Sequence, residues 1–559
     1  MSCASLSNMP EATGFRRSAA EVMRLERLGL SHPTRLSFLR VLLRRMQQEN
    51  WQFSRPIFEF DQRGVGRAVY CAKGPHRTYS LVAFGHDLPP DQRSDRVIAT
   101  AWDATFCLFD GVPDETDLTR LAENVPLQEA GRVSARELCL SRANRSVRLF
   151  DHVIHALSQG RQPDEEALSA TGYLMRTTAV YGSGKFGAAS HASIADRPEM
   201  SVPFQAEMLS VWLIRTFTVD LIEHMAQEQG GSSALRLCPN LKRKLGVGNS
   251  TGLGMAPFLV RHPALLNSWM MVREEALARV RALPKADSDA VVCFKHALEA
   301  AQVNAATWQS EHPLQVERLK ELRHGLIALA DHVAEGWGVD TDHPWDTLWT
   351  WGSGNLPVEA QEALIALLLE PHGSIVDDLA ACLHADETSG FAIDGTMTVE
   401  QVSDLLVENY GWAIGPDYAS KAASARFWYI SEDKLEPRLG ERFDEAGGEL
   451  ELPLDVARRA SALNSVLADQ PPHKPVAELL LEMPEHRPMV RRAQITARRP
   501  FAEIRDNLIS EDLMPIDMLR CKLACFGASR FDPRSDRWVR ISLFQNYPYP
   551  DTLAAEAGL

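Results

Sequence analysis

The chain has 559 residues, 45% hydrophobic and 24% charged, with 74 acidic against 59 basic side chains and a net charge of -15. Such a composition is globular and long enough for several domains and a sizeable core. Its acidity excludes a broad nucleic-acid-binding surface, no apolar run reaches the roughly 18 residues of a membrane span, and nine dispersed cysteines exclude a disulfide framework.

The N-terminus, MSCASLSNMPEATGFRR, has no apolar stretch ahead of a cleavage site, so the expected location is the cytoplasm. Residues 18–30 and 35–48 read as two helices broken at His32-Pro33, the second with Arg40, Arg44 and Arg45 on a solvated face. Between Pro56 and Phe109, short runs rich in aromatic and β-branched residues predict an antiparallel meander of about four strands.

From Asp114 helices are expected to dominate. Ser134 and Glu137 have capping-box spacing before a helical run to about Ser158, ended by Gly160 and Pro163. The run TGYLMRTTAV reads as helix-like. Residues 204–229 predict a long apolar helix stopped by Gly230-Gly231, and 263–283, 289–306, 316–335, 357–369 and 399–410 predict further helices. Trp337, Trp345, Trp349 and Trp351 are set either to plug a domain junction or to line a pocket. Farther on, 450–454 reads as a short strand, 455–467 as a helix, 470–475 (QPPHKP) as a linker, and Val539 to Leu543 alternate as a strand. The expected class is α+β, predominantly α-helical, with an N-terminal antiparallel β-meander and a small C-terminal β-containing region. The expected domains are 1–112, 113–425 and 426–559.

Two glycine clusters concentrate the chemistry. In LKRKLGVGNSTGLGMAP, Gly246, Gly248, Gly252 and Gly254 surround Asn249, Ser250 and Thr251 and follow Lys242 and Lys244. Bare N–H groups on glycine suit a bound anion, so this stretch is expected to be an anion-binding loop. The Walker spacing is absent, and Pro239 interrupts any strand that a dinucleotide fingerprint would need there. The second cluster, Tyr181-Gly-Ser-Gly-Lys-Phe-Gly187, holds Tyr181, Ser183 and Lys185, with His191 just beyond, side chains suited to proton transfer and oxyanion support. Acid–base patterns around prolines add Arg438, Arg534 and Arg537 as second-rank anion contacts. No metal-ligand spacing is present, so no metal and no cofactor are expected.

GNSTGLGMAP resembles the flexible glycine- and serine-rich loop of the fumarase/aspartase group of helical lyases, whose serine removes a proton. The resemblance spans some ten residues. That family's lysine and asparagine after the loop's proline are missing, since Phe258, Leu259 and Val260 follow Pro257. The expectation is a homo-oligomeric enzyme handling a small carboxylate- or phosphate-bearing metabolite by lyase-like elimination. Tyr181, Ser183, Lys185, Ser250 and Thr251 would move protons. Lys242, Lys244, Gly246, Gly248, Asn249, Gly252, Gly254 and His191 would hold substrate. The alternatives are an NAD(P)-dependent oxidoreductase, which a parallel βαβ unit would favour although none is evident in the sequence, and a non-catalytic helical scaffold.

Overall fold

The computed structural model describes residues 13–89, 101–127, 133–177, 191, 193–251, 260, 262–309, 313–384, 391–418, 429–431, 434–436, 453–505, 515–528, 530–532, 539–556 and 559. The fold is α+β and mostly helical, and it forms two compact units. One unit comprises His32–Ser250, Trp308–Glu311 and Leu523–Leu559. The other comprises Met1–Ser31, Thr251–Thr307 and His312–Lys522. Among the described residues no helix is long and apolar enough to cross a membrane.

The first unit is built on a sheet of nine strands among the described residues. The meander supplies β1 (Gln52–Phe60), β2 (Gly66–Lys73), β3 (Thr78–Gly85) and β4 (Ala104–Asp110), each antiparallel to the next. Pro56 sits at a register irregularity on β1, the edge strand, where a missing N–H breaks no ladder. The sheet continues through β5 (Glu137–Arg145), β6 (Tyr173–Thr177) and β7 (Gly246–Thr251). It ends with the C-terminal strands β8 (Arg530–Asp532) and β9 (Val539–Leu543), in the order β7-β9-β8.

Helices cover both faces. On one face, Leu118, Leu121 and Val125, from α2 (Glu115–Asn124) and its C-terminal end, pack on Val69, Cys71, Val82, Phe84, Cys107, Phe109 and Leu140. The preceding helix, α1, spans Phe38–Gln48. On the opposite face Phe217 meets the rings of Phe60, Tyr70 and Phe106. Phe217 belongs to the helix Gln205–Gly230, apolar nearly all round and therefore buried along most of its length. This helix is α5, since α3 (Phe150–Ser158) and α4 (Glu165–Thr171) precede it.

Three expectations change here. Glu137 opens a strand, not a helix: its carboxylate accepts from Val133 N and Ser134 Oγ at the strand start, in place of the reciprocal bonds of a capping box. TGYLMRTTAV contains β6. The arginine face of α1 is not solvated, because Arg40 and Arg44 are buried and Arg44 donates to Arg35 O at 2.8 Å.

Among the described residues the second unit is mainly helical, with a short antiparallel pair, Tyr429–Ser431 with Lys434–Glu436. Its long helices are α6 (Pro263–Arg281), α7 (Ser288–Thr307), α8 (Pro313–Ala334), α9 (Pro344–Asn355) and α10 (Val358–Leu369). Proline at the first helical position starts α6, α8 and α9, where its missing N–H costs nothing. Trp337 and Trp345 fill this helical core: Trp345 packs on Trp337, Phe294 and His372. Beyond them lie α11 (Val399–Ile414), α12 (Pro453–Ala468), α13 (Val476–Glu482) and α14 (Arg487–Arg498). Pro453 and Leu454, expected at the end of a strand, belong to α12; residues 450–452 lie outside the described residues. The stretch 470–475 is not a linker, because Val399 N donates to Lys474 O and Val476 N to Met397 O, tying it to the start of α11.

Candidate functional site

β6 and β7 pair in parallel, in register at Tyr173↔Gly246, Arg176↔Gly248 and Thr177↔Asn249. Helix α5 lies between them in sequence, so β6–α5–β7 is a βαβ unit, contrary to the expectation from sequence. Asp164 caps α4, Gly172 ends it in the left-handed conformation, and β6 follows at once. The two strands finish side by side, held by Asn249 Nδ2 donating to Thr177 O at 2.9 Å. Carboxyl ends of neighbouring parallel strands are a recurrent ligand position. In sequence, β6 is followed by Gly182 to Gly187, and β7, which itself contains Gly246 and Gly248, by Gly252 and Gly254.

The expected loop at Gly246 to Thr251 is a strand. Its glycines answer to close packing. A Cβ on Gly246 would stand 2.4 Å from Leu543 O, and one on Gly248 2.7 Å from the Tyr173 ring. Gly246 N donates to Gly172 O, so that amide is not offered to a ligand. Lys242 and Lys244 precede β7, while Ser250 and Thr251 end it, about 17 Å farther along an extended chain. Lys244 pairs with Glu165. Lys242 lies 3.5 Å from Asp551 and 4.4 Å from the Tyr549 ring centre. The structure thus separates these lysines from the carboxyl end of β7, where Ser250 and Thr251 lie. The resemblance to the lyase loop meets the same correction, since GNST is strand. Asn249 is buried. His191 is buried too, its Nε2 3.1 Å from the carbonyl oxygens of Met200 and Ser201, to which it donates. Tyr181, Ser183, Lys185, Gly252, Gly254, Arg438, Arg534 and Arg537 lie outside the described residues, as do the side chains of Ser250 and Thr251.

No family model matches this chain, and neither a curated protein nor a solved structure is similar to it.

Cross-strand partners share a sheet face and alternate residues repeat it. Thr105↔Arg142 and Asn144↔Arg176↔Gly248 therefore put Thr105, Arg142, Asn144 and Arg176 on one face, opposite Phe106 and α5. The Tyr173 ring occupies the space beside Gly248 on this face, and Arg148 Nη2 donates to its hydroxyl at 3.3 Å. The Arg142 guanidinium lies 4.1 Å from the Trp102 ring centre. His86 Nε2 is 2.9 Å from Thr105 Oγ1. Burial pushes the imidazole below its ordinary value, against the opposing pull of Asp103, so it is neutral at pH 7. Asn144 anchors the segment before β4, accepting from Asp103 N and donating to Ala101 O. Among the described residues no group of three or more His, Cys, Asp or Glu is placed to hold a metal ion.

Arg142, Arg148, Tyr173, Thr105 and His86 are not legible as site residues in the sequence. On the helix expected there, the three-residue arginine spacing of SRANRSVR implies a solvated face. A strand instead sends Arg142 and Arg145 to opposite faces. One signal could have pointed to this place: Gly182-Ser-Gly-Lys-Phe-Gly187 has G-x-G-x-x-G spacing, whose meaning depends on a preceding strand. β6 is that strand.

Proposed function

We propose that this chain is an enzyme that binds a small carboxylate- or phosphate-bearing molecule at the carboxyl ends of β6 and β7. Acid–base chemistry is the reaction class, with lyase-like elimination preferred. The observation that carries the reading is the parallel register Thr177↔Asn249, after which Gly182 to Gly187 follow β6 in sequence and Gly252 and Gly254 follow β7. Tyr181, Ser183, Lys185, Ser250 and Thr251 remain the proposed proton-transfer groups, and a cytoplasmic homo-oligomer remains the proposed setting. The test is ligand binding by titration calorimetry with citrate, succinate and phosphate, on wild type and Lys185→Ala. Binding abolished by Lys185→Ala in a folded protein supports the reading. Absence of binding to all three by wild type overturns it.

One observation favours a second reading, a nicotinamide-dependent oxidoreductase: G-x-G-x-x-G follows β6 within a parallel βαβ unit. Two departures weigh against it. Helix α5 begins at Gln205, well beyond Gly187, and β7 ends in Asn249, Ser250 and Thr251 with no acidic residue for a ribose. Titration with NAD and NADP separates the two, because only the second reading requires saturable binding of either.

A further inference from the structure

We infer that Arg142, Arg148 and Arg176 together form an anion-recognition element on the sheet face beside this strand end, selecting a phosphate group over a single carboxylate. The inference rests on the anion-binding reading above and names the chemical class of its ligand. Arg176 is directly opposite Asn144, two residues along β5 from Arg142. Arg142 and Arg176 are therefore diagonal neighbours on adjacent strands, about 7–8 Å apart at the backbone and within reach of one group. Tyr173 joins the third cation to them, its ring against Gly248 opposite Arg176 and its hydroxyl held by Arg148.

The chemistry of these groups suits a dianion. Guanidinium stays charged at every physiological pH and presents planar forks that match phosphate oxygens two at a time. Packing Arg142 against Trp102 sets the plane of that fork before any ligand arrives. Preorganisation lowers the ordering cost of binding. A lone carboxylate has one charge and two oxygens, too few to engage three guanidinium groups. A phosphate has up to two charges and three terminal oxygens on an ester. Gly248 is integral to this arrangement, since any side chain there would displace the Tyr173 ring that Arg148 holds.

The test is calorimetric binding of inorganic phosphate, pyrophosphate, acetate and succinate at matched ionic strength, with wild type, Arg142→Lys, Arg148→Lys and Arg176→Lys. The expected result is phosphate or pyrophosphate bound at least tenfold more tightly than acetate. Each lysine variant, matching wild type in unliganded melting temperature, should lose roughly tenfold to a hundredfold, the range for one charge-assisted hydrogen bond. A crystal soaked in tungstate gives a readout that needs no variant: anomalous density within hydrogen-bond reach of the three guanidiniums supports the inference, and ordered density only elsewhere overturns it. Phosphate bound equally by wild type and all three variants overturns the inference and leaves the broader anion-binding reading standing. Acetate bound as tightly as phosphate does the same. Absence of binding to every anion overturns both.

Discussion

The guanidinium of Arg215 lies 3.8 Å from the ring centre of Tyr549 and is fully buried there. It donates to the carbonyls of Leu245, Tyr547, Pro548 and Arg243, joining α5 to the entry of β7 and to the chain after β9. No carboxylate takes part in these contacts. Burial pulls the guanidinium down to about 10, and it stays charged at pH 7 through carbonyl dipoles and the ring face. Lysine cannot reproduce a planar fork with several acceptors. Arg215→Lys should therefore lower stability by about 2–4 kcal/mol, on the scale of one or two hydrogen bonds to a charged group. Urea unfolding of the two proteins measures it, and a change below about 0.5 kcal/mol would remove Arg215 from this role.

Glycine positions of opposite character give a paired prediction. Gly246→Ala drives a methyl into Leu543 O, a main-chain atom of the neighbouring strand, and should cost about 2–3 kcal/mol, the upper part of the overpacking range. At Gly354, in α9, nothing lies within 4 Å of the place a methyl would take, so Gly354→Ala should add about 0.5–1 kcal/mol by restricting the unfolded chain. Thermal unfolding of both should show shifts of opposite sign.

Within the helical unit, Arg17 bridges two buried carboxylates, both oxygens of Glu274 at 2.8 and 2.9 Å and Glu362 Oε1 at 2.9 Å. Burial alone would raise the Glu274 carboxyl, but Arg17 and Arg273 overcome it and hold the group below its ordinary value. A carboxyl lowered on folding contributes stability above its unfolded pKa and loses it as pH falls through the folded one. Glu274→Gln should cost about 3–5 kcal/mol at pH 7 by leaving buried arginine charge uncompensated. The gap from wild type should narrow as pH falls below the ordinary glutamate value. A gap that stays constant into acid would contradict the charge assignment.

Lys522 is buried, and desolvation pulls its ammonium from 10.5 to about 7. Between those values the unfolded chain binds more protons than the folded one, so this group makes stability rise with pH from about 7 to 10.5. The slope approaches about 1.4 kcal/mol per pH unit. The Cys521 thiol, pushed up by burial to about 11, works in the other direction above pH 9. Comparing wild type with Lys522→Met by chemical denaturation between about pH 7 and 9 isolates the lysine. The variant should lack the rising component, and equal slopes would show that Lys522 does not change its proton affinity on folding.

The sequence by itself determined the elements whose pattern is local. The meander β1 to β4, the long apolar helix α5, the helices α6 and α8, and the strand at Val539 to Leu543 all follow from periodicity, caps and breakers within a few turns of chain. Tertiary structure decided whatever depends on a distant neighbour. Tyr173 to Thr177 becomes a strand because Gly246 to Thr251 arrives beside it, some seventy residues later in the chain. The glycines at 246 and 248, which read locally as a loop, are there because Leu543 and Tyr173 occupy the space a Cβ needs. Pairing with β4 and β6 likewise makes Arg142 and Arg145 part of a strand, and so puts Arg142 on the sheet face of Arg176. Side-chain spacing encodes a face only once the backbone period is known. Here contacts across strands fixed that period.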